Sequence, residues 1–477
     1  MTTITRPPEG ATTSTRIEKD TLGEVRVPAD ALWGAQTQRA VENYPISGYR
    51  AFPAFIRAIV SVKKAAALAN AEAGRLSAER RDAIVWACDE ILGGKYHDQF
   101  VVDVFQAGAG VSFHMNTNEV IANLADRKLG GALGTYAKVN PNDHVNMAQS
   151  TNDVTPTAMR LAHLELTKAL TAELDQLATS IAAKAQEVRE VVKPGRTHLQ
   201  DAVPVTFGQE LGGWAARVRS AAARLRAGRQ ELCELGIGGT AAGTGLNADP
   251  KFRERVCRHL AQWYGEPIVP AADLFQSMQS MAAFVRISSG MRTAAIELGQ
   301  MCNDIRLLVS GPRTGFGEIH IPAVQPGSSI MPGKVNPAIV EMVNQVCFQV
   351  IGNDTAVMLG AQAGQLELNV MMPGINYAVC LSATILTNAV RQLRTRTIDG
   401  LRVDRERARE LLDASPPLIA TALSPHIGYA RAAALVKRAI AERRSLLDVA
   451  LEEKVLPEAD LRRVLDPLPM TRGGVME

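Results

Sequence analysis

The sequence predicts an all-α protein built around long helices. Three observations carry that prediction. Apolar residues recur at heptad-like spacing through the middle of the chain. Alanine is abundant while β-branched alternation is scarce, and Gly/Pro clusters fall between the periodic segments. With 477 residues, 46% of them apolar, the chain has material for a sizeable core. It is long enough for two or three domains or one extended helical body.

The chain opens with a Thr-, Pro- and Gly-rich stretch, Met1 to Arg16, that lacks the apolar run of a signal peptide. Residues 1–15 are therefore read as a flexible arm, with residues 16–150 forming an N-terminal helical domain. A long helix is expected from around Pro156, striped by Leu170, Leu174, Leu177, Ile181 and Val188. Phe207, Leu211, Trp214, Val218 and Leu225 mark a second. Ile339, Met342, Val343, Val346 and Val350 mark a third, behind Pro337, which suits a first helical turn. Pro194-Gly195, Gly236 to Gly245 and Gly311-Pro312 punctuate these helices, and no sheet is expected among them. The run Gly236-Ile237-Gly238-Gly239-Thr240 has no strand before it and the wrong spacing for a dinucleotide fingerprint, so it reads as an interhelical turn. Composition shifts near Thr397 to Arg402. That shift separates a central bundle, 151–400, from a charge-rich C-terminal helical domain, 401–477. Residues 158–185 are apolar or small around much of the helix, as in a bundle interior or a subunit interface. Periodicity alone leaves both a homo-oligomer and a large monomeric bundle open.

Charge and cysteine usage narrow the function. There are 52 basic and 49 acidic residues, and aromatics are 5% of the chain, which argues against nucleic-acid or membrane-surface partners. The six cysteines are scattered, with no CxxC and no zinc spacing. They read as small core residues in a reducing compartment, and no stretch reaches transmembrane length. A soluble cytoplasmic protein is expected.

The most informative segment is Gly327-Ser328-Ser329-Ile330-Met331-Pro332-Gly333-Lys334-Val335-Asn336-Pro337. It combines two hydroxyls, a cation and an amide with glycines that let the backbone bend. Such a loop can surround a developing oxyanion with N–H groups and place positive charge beside it. A serine there can take a proton from carbon if the carbanion is stabilised. A phosphate-binding P-loop is excluded, because five residues separate Gly327 from Gly333 and Val335 follows the lysine. No nucleophile elbow surrounds Ser328.

Two further clusters stand out. Gln149-Ser150-Thr151-Asn152-Asp153 precedes a helix, where hydroxyls and an amide serve either as caps or as an anion site. Gly195-Arg196-Thr197-His198-Leu199-Gln200-Asp201 crowds polar side chains between two long helices.

All three segments resemble, in order and spacing, the signature regions of the fumarase/aspartase superfamily. The likeness extends to Leu32-Trp33-Gly34-Ala35-Gln36-Thr37-Gln38-Arg39, Gly243-Thr244-Gly245-Leu246-Asn247 and Gly352-Asn353-Asp354, and covers the chain from about Arg16 onward. It implies an all-α, three-domain homotetramer whose central long helices form the tetramer core. Each site would be shared by three subunits and would act on a small dicarboxylate without cofactor or metal. His97-Asp98-Gln99-Phe100, Gly108-Ala109-Gly110 with Ser112, and Gln365 to Met371 resemble the aspartate ammonia-lyase branch.

The resemblance implies β-elimination from a 2-substituted succinate to give fumarate, with L-aspartate as the leading substrate. Ser328 would be the general base. Ser329 would donate to the enediolate. Lys334 and Asn336 would hold one carboxylate, and Ser150 and Thr151 the carboxylate that becomes the enediolate. Asn152, Thr197 and His198 would surround the leaving group, with Glu341 orienting His198.

This sequence departs from the family at Val111, where threonine is usual, at His114, where asparagine is usual, and at Met372, where an acid is frequent. These are specificity candidates. They keep open a nitrosuccinate lyase releasing nitrite, or a fumarate hydratase. A catalytically silent helical scaffold is the remaining alternative.

Overall fold

The computed structural model describes residues 14–476. Most of the proposed N-terminal arm lies outside the described residues. Strand pairing begins at Thr15, where Thr15–Asp20 runs antiparallel to Gly23–Pro28. The fold is all-α with a few short strands. Among the described residues the strands form only two-stranded pieces, while helices supply the body. The chain divides into two compact units. The first holds the chain to Thr171, Ala223–Thr293 and Phe348–Leu386. The second holds Ala172–Ala222, Ala294–Cys347 and Thr387 onward.

In the first unit, Pro53–Glu72 starts with proline in its first turn and is buried on most of its circumference, including Phe55, Ile59, Val62, Lys63 and Ala66. Val111–Lys128 is buried almost as completely. A helix hidden on all sides must satisfy most of its polar side chains internally, and here Asn118 Oδ1 is left without a partner. Its Glu119 takes the backbone N–H groups of Gly34, Gln36 and Thr37 and the Thr37 hydroxyl, capping the Ala35–Asn43 helix from outside.

That approach leaves no room at Gly34. A Cβ there would sit 2.3 Å from the Tyr136 hydroxyl and 2.6 Å from Glu18 Oε2. Gly34→Ala is expected to destabilise the protein by about 2–3 kcal/mol through overpacking. A lowered urea midpoint with an unchanged m-value would show it.

The three expected long helices occur, as Thr151–Glu187, Phe207–Arg229 and Ala338–Gln362, and Ala282–Leu308 and Met372–Leu393 join them. Two local expectations fail. First, the Thr151–Glu187 helix starts five residues before Pro156. Ser150 Oγ accepts from Asn152 N, and Asp153 Oδ1 accepts from Ser150 N. This reciprocal cap outweighs the one helical bond that Pro156 forfeits in the second turn.

Second, the second unit contains a hairpin where no sheet was expected. Val192–Thr197 pairs antiparallel with Gln200–Thr206, in register from Val192↔Thr206 to Thr197↔Gln200. Pro194, read as a breaker, faces Pro204 across it. A two-stranded ribbon has free edges on both sides and tolerates residues without an N–H. The register shifts between Pro194 and Arg196, and Gly195 fills the irregularity. A Cβ there would lie 2.4 Å from Val203 O.

All six cysteines are buried. No helix among the described residues is long and apolar enough to cross a membrane.

Candidate active site

The signature residues fall into one cluster in each unit. In the first unit, the cap at Ser150 places Ser150, Thr151 and Asn152 at the open end of the longest helix. The hydroxyls and the helix dipole there favour an anion. Asp153 is fully buried behind them and takes the N–H groups of Gly238 and Thr240 on its other oxygen, at 3.0 and 2.9 Å. Asn152 Nδ2 donates to Ala241 O at 2.8 Å. The glycine-rich turn is thus tied to the helix start. Burial pushes the Asp153 carboxyl up to about 6, against the pull of its three N–H donors.

His114, a departure from the family pattern, is 1% exposed. Its Nδ1 lies 2.6 Å from the Thr151 hydroxyl and its Nε2 2.6 Å from Lys63 Nζ. Burial and the Lys63 charge hold its pKa well below the usual value. The two other departures lie elsewhere in this unit. Val111 opens its helix 42% exposed, and Met372 is fully buried at the start of Met372–Leu393.

In the second unit, the 327–337 loop closes on itself. Gly327 N donates to Lys334 O at 2.8 Å, and Asn336 Nδ2 donates to Gly327 O at 2.8 Å. Only glycine fits at 327, where a Cβ would sit 2.7 Å from Asn336 N and from Lys334 O. Gly333 turns the chain at φ +82°. Ser328 Oγ accepts two backbone N–H groups, from Ile330 at 3.2 Å and Met331 at 3.0 Å. Donors aimed at an oxygen favour its deprotonated form. Ser329 is exposed on the same loop. Lys334, Asn336 and Glu341 line an open cleft of about 770 Å³ with Arg306 and His320.

Thr197 and His198 are exposed at the hairpin end. His198 and Leu199 form its two-residue turn with φ of 56° and 58°. Both positions favour glycine or asparagine in such a turn, and each non-glycine residue there stores about 1–3 kcal/mol. The strands hold that strain. Arg196 makes a two-pronged pair with buried Glu318 at 3.0 and 3.2 Å, and Asp201 accepts from the Ser415 hydroxyl at 2.5 Å. Within the protomer no hydrogen bond joins His198 to Glu341 among the described residues.

Residue-type reasoning missed Lys63 and the pinning role of Asp153. Lys63 carried a usable signal, since it sits at helical spacing with Ile59 and Ala66 on an apolar face.

The first unit thus carries a helix end suited to an anion, and the second a serine-bearing glycine loop and a strained histidine turn. The family model described as lyase matches residues 23–352, and the fumarase C C-terminus model matches residues 419–472. The chain belongs to this lyase family. It is 49% identical over 457 residues to the aspartate ammonia-lyase of Pseudomonas aeruginosa, covering 95% of this chain and 96% of the relative. It is 46% identical over 461 residues to a class II fumarate hydratase of Xylella fastidiosa, covering 96% of each. Among solved structures, the fumarate lyase:delta crystallin of Brucella melitensis matches with a TM-score of 0.93 at 47% identity. That match covers 96% of this chain and all of that one.

Proposed function

We propose that this enzyme is an aspartate ammonia-lyase, converting L-aspartate to fumarate and ammonia. The observation that carries the proposal is the pair of N–H groups donating to Ser328 Oγ on a loop that also bears Lys334 and Asn336. A serine so placed is prepared to leave its proton and take one from carbon. Ser328 removes the proton next to the distal carboxylate. Ser150, Thr151 and the Ser329 N–H stabilise the dianionic enediolate. Lys334 and Asn336 hold the other carboxylate. Collapse of the enediolate expels the amine, near Asn152, Thr197 and His198, with Glu341 orienting His198. Aspartate ammonia-lyases at 44–49% identity support this reading.

The reading includes a homotetramer, with each site drawn from three subunits and the 16–150, 151–400 and 401–477 division belonging to that arrangement. Exposed apolar residues on one long helix support an unfilled interface: Phe348 at 65%, Met358 at 50% and Leu359 at 57%. The buried, unpaired cysteines support a cytoplasmic location.

The test is ultraviolet detection of fumarate from L-aspartate, with L-malate and nitrosuccinate in parallel. Fumarate with equimolar ammonia from aspartate is expected. Fumarate from L-malate alone would favour the fumarase reading, which the 46% identical hydratase supports. Fumarate from nitrosuccinate alone would make Val111, His114 and Met372 the determinants of a changed leaving group. No fumarate from any of the three would favour a silent scaffold.

A further inference from the structure

We propose that Lys63, acting through His114, is a positioning cation that sets the Thr151 hydroxyl to donate to the substrate carboxylate. The proposal rests on the dicarboxylate reading of the site above.

Lys63 is fully buried, and among the described residues its hydrogen-bond partners are all neutral. In its charged form the three protons have three neutral acceptors. Asn146 Oδ1 and Gln149 Oε1 are each at 2.9 Å, and His114 Nε2 is at 2.6 Å. The two amides cannot be turned around. Asn146 Nδ2 donates to Gln149 O, and Gln149 Nε2 donates to the carbonyls of Val145 and Met147. Their oxygens therefore face the ammonium, and the third proton points at His114 Nε2.

That nitrogen must accept, so the ring proton sits on Nδ1 and is given to Thr151 Oγ1 at 2.6 Å. Thr151 accepts from His114 and keeps its own proton for another acceptor. That proton is then available to an acceptor at the helix end shared with Ser150. A threonine hydroxyl in water samples every rotor, whereas this one is set whenever Lys63 carries its third proton.

The electrostatics point the same way. Asp153 from the Thr151–Glu187 helix and Cys88 from the Ala78–Leu92 helix are the titratable groups acting on Lys63 besides His114. The Asp153 oxygens are occupied by three backbone N–H groups, and burial pushes the Cys88 thiol far up, so it stays neutral. Lys63 is held down to about 7 by burial. An arriving carboxylate supplies the missing counter-charge and draws the proton back onto Lys63. Asparagine, usual in the family at this position, has too short a side chain to span both partners as the ring does. The arrangement is therefore particular to His114.

The test is calorimetric binding of succinate at pH 8 in buffers of different ionisation enthalpy. Succinate has no leaving group, so turnover does not interfere. Wild type is expected to take up a fraction of a proton on binding. Lys63→Met should abolish the uptake and weaken binding about 10- to 100-fold. His114→Leu should weaken it similarly, and the double variant should bind within about threefold of the weaker single one. Additive losses, or unchanged uptake in Lys63→Met, would overturn the relay. A neutron structure of the wild-type succinate complex needs no variant, and a ring proton on Nε2 rather than Nδ1 would overturn it as well. No succinate binding by wild type would also remove the relay. Turnover of L-aspartate then tells whether the functional reading falls with it.

Discussion

Ser328→Ala is expected to lower kcat on L-aspartate by about 10²- to 10⁴-fold, the contribution of a positioned general base. The fold should not change. Ser328 sits on an exposed loop, and the N–H groups of Ile330 and Met331 that it accepts reach water once the hydroxyl is gone. Loop closure rests on other groups, the Gly327–Lys334 and Asn336–Gly327 bonds. The variant should therefore keep its melting temperature and its oligomeric state. KM should move little, because alanine removes an interaction made with a proton in flight rather than with the bound carboxylates. A kcat within threefold of wild type would remove Ser328 from the mechanism and shift the search for the base to other groups around the cleft.

Asp153→Ala should be the most destabilising single change at the site, by about 3–5 kcal/mol. Three backbone N–H groups, those of Ser150, Gly238 and Thr240, lose their acceptor. Each orphaned buried donor costs about 1–3 kcal/mol, reduced where water reaches it. The loss also frees the glycine-rich turn from the helix start, so activity should fall with stability. A urea midpoint close to wild type would show that water replaces the carboxylate.

The same residue gives a pH dependence. Burial raises the folded pKa of Asp153 from 3.8 to about 6, so the proton binds the folded state more tightly. Its contribution is therefore fully present below pH 3.8 and is lost as pH rises through 6. Asp153→Asn carries no proton in that range. The part of the stability–pH slope between 4 and 6 due to this group should vanish in it. An unchanged slope would assign the titration elsewhere.

Much of this molecule was legible in the residue string. Stripes such as Leu170 to Ile181 and Phe207 to Leu225 announce long helices, because burial on one helix face repeats every three to four residues. The Gly327 to Pro337 loop was legible because its chemistry is local. Its glycines, hydroxyls, lysine and amide are neighbours in sequence before they are neighbours in space. The chain's place in a lyase family was readable for the same reason. The hairpin at 192–206 was not readable, since its prolines and glycine locally mimic breakers. Pairing across the ribbon, Arg196 on Glu318 and Asp201 on Ser415 hold His198 in its strained turn.

Lys63 shows the limit most clearly. From sequence it was one of two adjacent lysines in a helix. Packing of the Pro53–Glu72 helix against Val111–Lys128 and the 146–149 turn made it a buried cation with three neutral acceptors. By itself the sequence determined the long helices, the make-up of the Gly327 to Pro337 loop and the family, all of which are short-range patterns. Only the tertiary structure decided which charges are buried and which hydroxyl they orient. Desolvation depends on elements that are far apart in the chain.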